Sequence, residues 1–271
     1  AEVTAKADGE GDWDLIKRLA SQACSCPGHV CEWRVAAAEF FENNKESINE
    51  GELAAATANI IQSGPSKTTR VPLLVGPTNG AKSTIFDPVD DVFGPTAVFH
   101  TPSLGASMPL ANLATKKKRF IYLDDYRPVE YAASTARFAA TVPVTTFLKL
   151  FGGQFTELAV SQSFNNGHVD LCWKRGVVMT AKDEDLWERA PGVSSEDIRH
   201  MKSRVVQFTA TFQVPDECLR DVHRCTTSWS RWLVEASAAA ATGRVPRGLA
   251  KPDDPDEADE NPRVEMICDF F

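Results

Sequence analysis

Residues 71–86, VPLLVGPTNGAKSTIF, combine a short apolar run, a turn rich in small residues and the start of a helical pattern. This is the layout of a phosphate-binding loop (Walker A), in which a buried strand leads through a glycine-rich turn into a helix. The consensus G-x-x-x-x-G-K-[ST] is broken at one position, because Ala81 stands where the second glycine is expected. The stretch therefore predicts an α/β fold built around a nucleotide loop.

The candidate nucleotide-binding residues are Gly76, Pro77, Thr78, Asn79, Gly80, Ala81, Lys82, Ser83 and Thr84. In such a loop, backbone N–H groups cradle phosphate oxygens, the lysine reaches the β- and γ-phosphates and the next hydroxyl coordinates Mg²⁺. We expect Gly80 to absorb part of the backbone demand at the substituted position. An alanine there costs little at negative φ and about 1–2 kcal/mol in the left-handed region. The larger cost corresponds to roughly tenfold weaker binding.

From residue 71 onward, short apolar runs alternate with helical stretches. The runs are VPLLVG, TAVFH, RFIYLDDY, GVVMTA and RVVQFTATF. Near-continuously apolar strands separated by helices are typical of a mainly parallel sheet that is covered on both faces. We therefore predict a three-layer P-loop ATPase core, of the AAA+-like α/β class, over residues 65–214.

The segments that flank this core differ from it in pattern. Residues 1–64 are predicted to be a helical extension with a cysteine-rich turn, because apolar residues recur there at three- and four-residue spacing. Residues 215–241 are predicted to form a C-terminal helix. Residues 242–271 include KPDDPDEADENPR, an acidic, proline-containing run that predicts a disordered tail.

Composition indicates a soluble globular protein, with 43% hydrophobic and 24% charged residues. No run approaches the roughly 20 apolar residues that a membrane helix needs, so we expect no membrane partner. The N-terminus lacks a basic segment followed by an apolar one, and the seven cysteines favour a reducing nuclear or cytoplasmic location. The net charge of −8 argues against a surface that binds nucleic acid over its whole area.

A pair of acids ends the third apolar run. In KKKRFIYLDDY, apolar and aromatic residues lead into Asp124 and Asp125. In a nucleotide-hydrolysing site, one carboxylate at such a strand end holds the Mg²⁺ and a second orients or deprotonates the attacking water. We assign Asp124 to the metal, together with Ser83, and Asp125 to the water. The alternative is a strand that simply ends in a charged turn.

The order of these motifs resembles that of superfamily 3 helicases, the ATPase module of parvoviral non-structural replication proteins and of papillomavirus and circular single-stranded DNA virus replicases. Their loop reads G-P-x-x-x-G-K-[ST], which GPTNGAKS matches except at Ala81. Their acidic pair matches Asp124 and Asp125. The resemblance covers roughly residues 50–235. The chain particularly resembles the parvovirus-like helicase domains that are found in eukaryotic genomes.

Further motifs of this family match downstream. Its K-x-x-G-G segment matches Lys149, Gly152 and Gly153, its sensor strand matches GVVMTA, and an arginine before the last strand matches Arg204. The resemblance implies ATP and Mg²⁺ as ligands, a homo-oligomeric ring with the N-terminal extension as its collar, and single-stranded nucleic acid as a partner. In a ring, Arg204 would act catalytically on the γ-phosphate bound by a neighbouring subunit. The alternative is a surface arginine that begins a strand.

Besides Ala81, the sensor position and the hairpin depart from the family. The sensor position, usually asparagine, holds Lys182, with Thr180 as a partial substitute. The hairpin predicted for FTELAVSQSFNNGHVDLCW is centred on Asn166 and Gly167, and it contains no lysine or arginine, only His168. A hairpin that moves single-stranded DNA should present cations to phosphate. We therefore predict nucleotide binding, slow ATP hydrolysis and no processive unwinding. The alternative is a catalytically degenerate, nucleotide-regulated interaction or scaffold module.

The basic run KKKR at residues 116–119 has two interpretations. It could follow a nucleic-acid backbone, because lysine and arginine neutralise phosphates. It could also be a solvated loop before a buried strand, which is the interpretation that we favour from the sequence.

Several metal-ligating side chains lie within ACSCPGHVCEW, namely Cys24, Cys26, His29 and Cys31. Thiolate and imidazole are ligands that Zn²⁺ prefers, in a tetrahedron of four. The spacing is tight for a site closed within one turn, so a zinc site would join Cys24 with Cys26 or Cys31 to a distant partner. Cys225 and Cys218 are the candidates for that partner. From the sequence alone, free buried thiols are favoured over zinc.

Overall fold

The computed structural model describes residues 11–24, 26, 30–101, 110–127, 144–159, 168–182, 187–188, 193–214 and 222–242. Some predicted features lie outside these residues. They are nearly all of the acidic tail, the Asn166–Gly167 turn, His29 and Cys218.

Helices and strands alternate as the sequence predicts. The helices are α1 (Asp12–Ala20), α2 (Glu32–Asn43), α3 (Glu50–Ser63), α4 (Lys82–Phe86), α5 (Pro88–Phe93), α6 (Ala111–Thr115), α7 (Val144–Phe151), α8 (Ser195–Arg204) and α9 (Thr226–Ala241). The strands are β1 (Val71–Val75), β2 (Val98–His100), β3 (Phe120–Leu123), β4 (Phe155–Ala159), β5 (His168–Cys172), β6 (Val177–Ala181) and β7 (Val205–Thr209). In this part of the chain, no helix is both long and apolar enough to cross a membrane.

The strands predicted from the apolar runs form one parallel sheet, in the order β2-β3-β6-β1-β7. Leu73 of β1 pairs with Met179 of β6 on one side and with Gln207 of β7 on the other. Every residue of β1 is buried, as expected for a strand covered on both faces. The prediction of a three-layer α/β fold with a mainly parallel sheet is therefore confirmed. Because the strands are parallel, the segments that follow β1, β3 and β6 leave the sheet at the same edge.

The helices at the two ends of the chain pack on the same core as the sheet. Side chains from Leu15 to Ala236 form one continuous hydrophobic cluster. Near its centre, the ring of Trp232 in α9 lies 6.0 Å from Trp33 and 5.9 Å from Phe41, both in α2. The predicted N-terminal extension thus shares its core with the sheet, and its role as a collar stays a prediction.

β4 and β5 form an antiparallel hairpin separate from the main sheet. The predicted hairpin is confirmed. Ala159 pairs with His168 at its described end, and the predicted Asn166–Gly167 turn lies between them, outside the described residues. The register is set by burial, because Leu158 and Leu171 are 5% and 0% exposed and a one-residue slip would turn them to solvent.

The C-terminal helix begins later than predicted, at Thr226 rather than near residue 215. Residues 222–225 are not helical, and residues 215–221 lie outside the described part. Cys225 is the N-cap of α9, with extended backbone and its Sγ accepting a hydrogen bond from the N–H of Ser228 at 3.5 Å. The helical spacing of apolar residues in the sequence continues on both sides of the N-cap, so it could not reveal that the helix begins at Thr226.

The glycine pair of the K-x-x-G-G segment forms a close contact with the chain that leads into β1. Gly153 has a φ of +60°, and a Cβ there would lie 2.2 Å from the carbonyl oxygen of Pro65. The carbonyl of Gly153 accepts a hydrogen bond from Lys174 Nζ at 2.8 Å. The glycine is therefore required by packing at this position.

We expect Gly153→Ala to destabilise the protein more than the matched substitution Gly94→Ala. Gly94 also has positive φ, +85°, but nothing lies within 4 Å of the position of its added Cβ. Gly94→Ala should therefore cost backbone strain alone, about 1–3 kcal/mol. Gly153→Ala should cost a further 1–3 kcal/mol or so, because of overlap with Pro65. Urea unfolding of both variants measures the difference, and equal losses would contradict the close approach.

Candidate functional site

The phosphate loop and the acidic pair meet at the carboxyl edge of the parallel sheet. β1 leads into the loop, β3 leads into Asp124 and Asp125, and β6 lies between them. The hydroxyl of Ser83 donates a hydrogen bond to Asp124 Oδ1 at 2.9 Å. The fold therefore joins the two side chains that the sequence assigns to Mg²⁺.

The carboxylate of Asp124 is held by further donors. Thr180 Oγ1 donates to Asp124 Oδ1 at 2.6 Å, and the Tyr122 hydroxyl lies 3.4 Å from the same oxygen. Burial raises the pKa of Tyr122, and the charge of Asp124 raises it further, so the phenol keeps its proton and remains a donor. Thr101 Oγ1 fixes the backbone by donating to the carbonyl of Asp124 at 2.6 Å.

Sequence reasoning missed Tyr122 and Thr101 as parts of this site. For Tyr122 a signal existed, because it precedes Asp124 by two residues and strand alternation places both on one face. For Thr101 no local pattern pointed to the acidic pair, because it reaches Asp124 only through the pairing of β2 with β3.

Lys82 lies folded over its own loop. Its side chain is 8% exposed, and Nζ donates hydrogen bonds to the carbonyl oxygens of Gly76 at 3.0 Å and Pro77 at 2.6 Å. Burial lowers the pKa of Lys82, whereas the charges of Asp125 and Asp124 oppose that shift. The ammonium group is thus held within the electrostatic reach of both acids.

The loop holds Ala81 in the left-handed region, with φ 52° and ψ 19°. Of the two cases considered for the missing glycine, the strained one therefore applies. Asn79 is also left-handed, at φ 61°. At Gly80, a Cβ would lie 3.0 Å from the carbonyl oxygen of Pro77 and 3.3 Å from that of Phe212. Gly80 is packed tightly but does not have positive φ, so the expectation that it absorbs part of the backbone demand is wrong, and Ala81 itself carries the strain.

A buried amide supports the loop from behind. Asn44, 1% exposed at the end of α2, accepts hydrogen bonds through Oδ1 from the N–H groups of Thr211 at 2.8 Å and Phe212 at 3.0 Å. Further along this segment, the N–H of Val214 donates to the carbonyl of Asn79 at 2.8 Å. Asn44 thereby positions the chain against which the loop packs, a role with no sequence signal.

Asp125, the residue assigned to the attacking water, is engaged by cations. Its Oδ2 accepts a hydrogen bond from Arg127 at 2.6 Å and lies 3.5 Å from Lys182 Nζ. Its backbone is left-handed, with φ 47°, and its N–H donates to Thr180 Oγ1 at 2.8 Å. Thr180 therefore contacts both acids, whereas Lys182 pairs with Asp125.

Two tryptophans hold α4, the helix that follows the loop. The carbonyl of Thr84 has no donor four residues on, because residue 88 is proline. Trp33 Nε1 of α2 donates to this carbonyl at 2.9 Å, and Trp229 Nε1 of α9 donates to the carbonyl of Ile85 at 2.9 Å. Both indoles are buried, so α4 is fixed by both ends of the chain.

Asp87, the residue that directly follows α4, is a further acidic side chain near the site. Burial raises the pKa of Asp87 to about 6, with the charge of Arg224 opposing the shift and that of Asp124 adding to it. The side chain lines a cleft of about 410 Å³ together with Trp33 and Arg224. When it is ionised, Asp87 adds negative charge near the Asp124 carboxylate.

Arg204 is not brought to the loop of its own chain. It directly precedes β7, at the amino edge of the sheet, and a five-residue strand separates that edge from the loop by roughly 16 Å. Its Nε is buried without a hydrogen-bond partner among the described residues. The role of Arg204 towards a neighbouring subunit stays a prediction.

Part of the basic run has contacts within the fold. Lys118 Nζ donates to the carbonyls of Thr96 at 2.7 Å and Val98 at 2.6 Å. Arg119 donates to Asp12 Oδ1 of α1 through Nε at 2.9 Å and through a terminal nitrogen at 2.6 Å. These contacts give both side chains structural roles, and both interpretations of the run stay predictions.

The cysteines predicted to bind zinc come together at the starts of α2 and α9. The sulfur atoms of Cys24, Cys26, Cys31 and Cys225 all lie within 4.8 Å of one another. Cys225 is therefore adjacent to the N-terminal cysteines, as one of the two proposed pairings requires. Hydrogen bonds, first from Cys31 and then from Ser228, lower the pKa of Cys225 to about 4. Burial and a hydrogen bond with Cys24 raise the pKa of Cys26 to about 12.

No protein-family model matches the chain, and no curated protein matches it. Solved structures of the NrS-1 C-terminal region are similar to it. An A-form apo structure has a TM-score of 0.42 and 10% identity, covering 92% of this chain and 52% of that chain. A second A-form apo structure has a TM-score of 0.37 and 11% identity, covering 99% of this chain and 54% of that chain. This chain thus spans about half the length of those structures, and values this low assign neither a family nor a function.

We expect Ala81→Gly to stabilise the folded protein by about 1 kcal/mol, because relief of left-handed strain exceeds the entropy cost of glycine. The matched control is Ala55→Gly within α3, which should lose about 0.5–1 kcal/mol. Urea unfolding measures both. The free loop already holds the left-handed conformation, so the strain lowers the stability of the fold rather than the nucleotide affinity, and the tenfold weaker binding considered from the sequence is not expected. Nucleotide affinity should therefore change by less than about threefold. Destabilisation by Ala81→Gly equal to that of the control would contradict this account.

Proposed function

We propose that this chain binds a nucleoside triphosphate and Mg²⁺ at residues 76–84 and hydrolyses the nucleotide slowly, as an ATPase of the superfamily 3 helicase type. The observation that supports this most directly is the 2.9 Å hydrogen bond between Ser83 Oγ and Asp124 Oδ1. It joins the end of the loop to the end of β3. The motif order described above supports the same assignment.

The donor set suits Mg²⁺, which prefers hard oxygen ligands and usually keeps several waters. Ser83 supplies a hydroxyl and Asp124 a carboxylate, both at the edge of the sheet where the loop begins its helix. Mg²⁺ held there would neutralise charge on the phosphate oxygens. Thr180 and Tyr122 would keep the Asp124 carboxylate oriented through their hydrogen bonds.

Lys82 would bind the phosphates directly. Its ammonium group makes hydrogen bonds only to the carbonyls of Gly76 and Pro77 among the contacts of the described residues. Exchange of these neutral acceptors for a phosphate oxygen is favourable, because the ammonium group then gains the Coulomb attraction of an anionic acceptor in addition to the hydrogen bond. Among the described residues, the lysine therefore has no carboxylate bound to its ammonium group that a phosphate would have to displace.

Asp125 would orient the attacking water, since it follows Asp124 directly and its N–H is fixed by Thr180. Arg127 and Lys182 compete with water for Oδ2 of this carboxylate. The competition accounts for slow hydrolysis in the proposal.

A second candidate function follows from the same ion pairs. If Arg127 and Lys182 hold Asp125 throughout, the chain would bind nucleotide without turnover and act as a nucleotide-regulated interaction module. Ring assembly and contact of the hairpin with single-stranded nucleic acid stay predictions from the family resemblance under both candidates.

For nucleotide binding, we expect Lys82→Met to weaken the affinity about 10–100-fold, because one charge-assisted contact to phosphate is lost. Titration of a fluorescent ATP analogue in the presence of Mg²⁺ measures this. Lys67→Ala is the control, because it also removes one lysine charge but lies exposed in the segment before β1. Equal affinity of Lys82→Met and wild type, or no saturable binding by either, would contradict the proposal.

For hydrolysis, we expect Asp125→Asn to lower Mg²⁺-dependent phosphate release about a hundredfold or more, because a general base contributes that much. Asp14→Asn removes the same charge from the exposed surface of α1 and should leave the rate unchanged. Equal background rates from wild type and Asp125→Asn would remove the ATPase and leave the binding module.

Lys182→Asn then tests whether the ion pair with Asp125 limits the rate of hydrolysis. Removal of its charge frees one side of Asp125 Oδ2 and should raise the rate of phosphate release if the ion pair limits turnover. An unchanged rate would show that the 3.5 Å ion pair between Lys182 and Asp125 does not limit hydrolysis.

A further inference from the structure

We propose that Cys24, Cys26, Cys31 and Cys225 bind one Zn²⁺ ion, and that this metal centre holds α2 and α9 in place against α4. The first part is independent of nucleotide binding. The second part connects the metal to the helix that follows the phosphate loop.

The sulfur positions fit one tetrahedral ion. Zinc–thiolate bonds of about 2.3 Å place the ligand sulfurs about 3.8 Å apart in a tetrahedron. The Cys24 sulfur lies 3.1 Å from that of Cys26 and 3.4 Å from that of Cys225, and all separations in the cluster are within 4.8 Å. Small rotations of the side chains therefore suffice to surround a single ion.

The composition of the cluster favours a metal over the alternatives. Sulfur–sulfur distances of 3.1 and 3.4 Å exceed the 2.0 Å or so of a disulfide, and these cysteines are free thiols in the structure. The cluster also unites segments that are far apart in sequence, Cys225 and Cys24 being separated by 201 positions. Four thiolates with no open position are the ligand set of a structural zinc site.

The surroundings of the sulfurs suit negative charge. Cys31 and Cys225 are the N-caps of α2 and α9, where the helix dipoles favour thiolates. Ser228 places its N–H 3.5 Å from the Cys225 sulfur and its hydroxyl 3.2 Å from the Cys31 sulfur. Such outer contacts orient metal ligands and are a regular part of metal sites.

The caps connect the cluster to the phosphate loop. Trp33 follows Cys31 by two residues and Trp229 follows Cys225 by four, and their indoles donate to α4 at Thr84 and Ile85. An ion that joins the two caps would therefore fix the two donors relative to each other. Besides the thiol contacts, the N–H of His223, just before α9, donates a hydrogen bond to Glu32 Oε2 at the start of α2 at 3.0 Å.

Metal analysis of the full chain tests the first part. The chain is produced with zinc in the medium, purified under reducing conditions and dialysed against a weak chelator before elemental analysis. We expect about one zinc per chain. Zinc below about a tenth of a site, a different metal in its place, or a disulfide among these cysteines by mass spectrometry would each overturn the proposal.

Variants identify the ligands. Cys24→Ser should lower zinc occupancy severalfold, and because Cys24 is exposed, the substitution disturbs no buried packing. Cys225→Ser should do the same at the buried cap. Cys172→Ser is the matched control, because Cys172 is a buried thiol in β5, outside the cluster, and the variant should retain full occupancy. Full occupancy in Cys24→Ser and Cys225→Ser would overturn the ligand assignment.

Hydrogen exchange tests the connection to α4 without any nucleotide. After zinc is removed by a strong chelator in reducing buffer, the amides of residues 82–86 should exchange about tenfold faster or more, because α4 loses fixed donors. Amides of residues 155–159, in the hairpin, serve as the internal control and should keep their rates. Unchanged exchange in α4, or an equal rise in both segments, would overturn the connection. Failure of nucleotide binding would leave these results untouched.

Discussion

The carboxylate of Asp124 is the acceptor on which the candidate site depends. It receives hydroxyl hydrogen bonds from Ser83 after the loop and from Thr180 on β6, at 2.9 and 2.6 Å. These contacts connect the ends of β1, β3 and β6, the three strands at the centre of the sheet. Asp124 is half-buried, and a carboxylate withdrawn from water is costly unless its lone pairs are satisfied, so the same hydrogen bonds serve both the fold and the site.

The loop is supported by residues far from it in sequence. Trp33 and Trp229, near opposite ends of the described chain, satisfy carbonyls of α4, and Asn44 holds the segment behind Asn79. A short helix that is followed by proline cannot satisfy all of its own carbonyl groups, so these hydrogen bonds from other helices contribute to the stability of the loop. The terminal helices are therefore integral to the candidate site as well as to the hydrophobic core.

Binding and turnover place different demands on this site. The features that would bind nucleotide, Lys82 with the Ser83–Asp124 pair, are in position and well satisfied. The group proposed to activate water, Asp125, is shared between Arg127 and Lys182. A carboxylate in such a network orients a water less freely than one with a single donor. The geometry thus supports binding more strongly than catalysis.

Local sequence patterns determined the five parallel strands, the loop at residues 76–84 and the acidic pair, because apolar period and turn chemistry are properties of neighbouring residues. The left-handed Ala81 was one of two cases that the sequence left open. Only the tertiary structure decided the hairpin register, the cap at Cys225 and the support from Trp33. These features depend on which surfaces are buried together, and no window of sequence contains that information. The cysteine cluster combines both, since its N-terminal members were visible in sequence and its closure by Cys225 required the packing of α2 with α9.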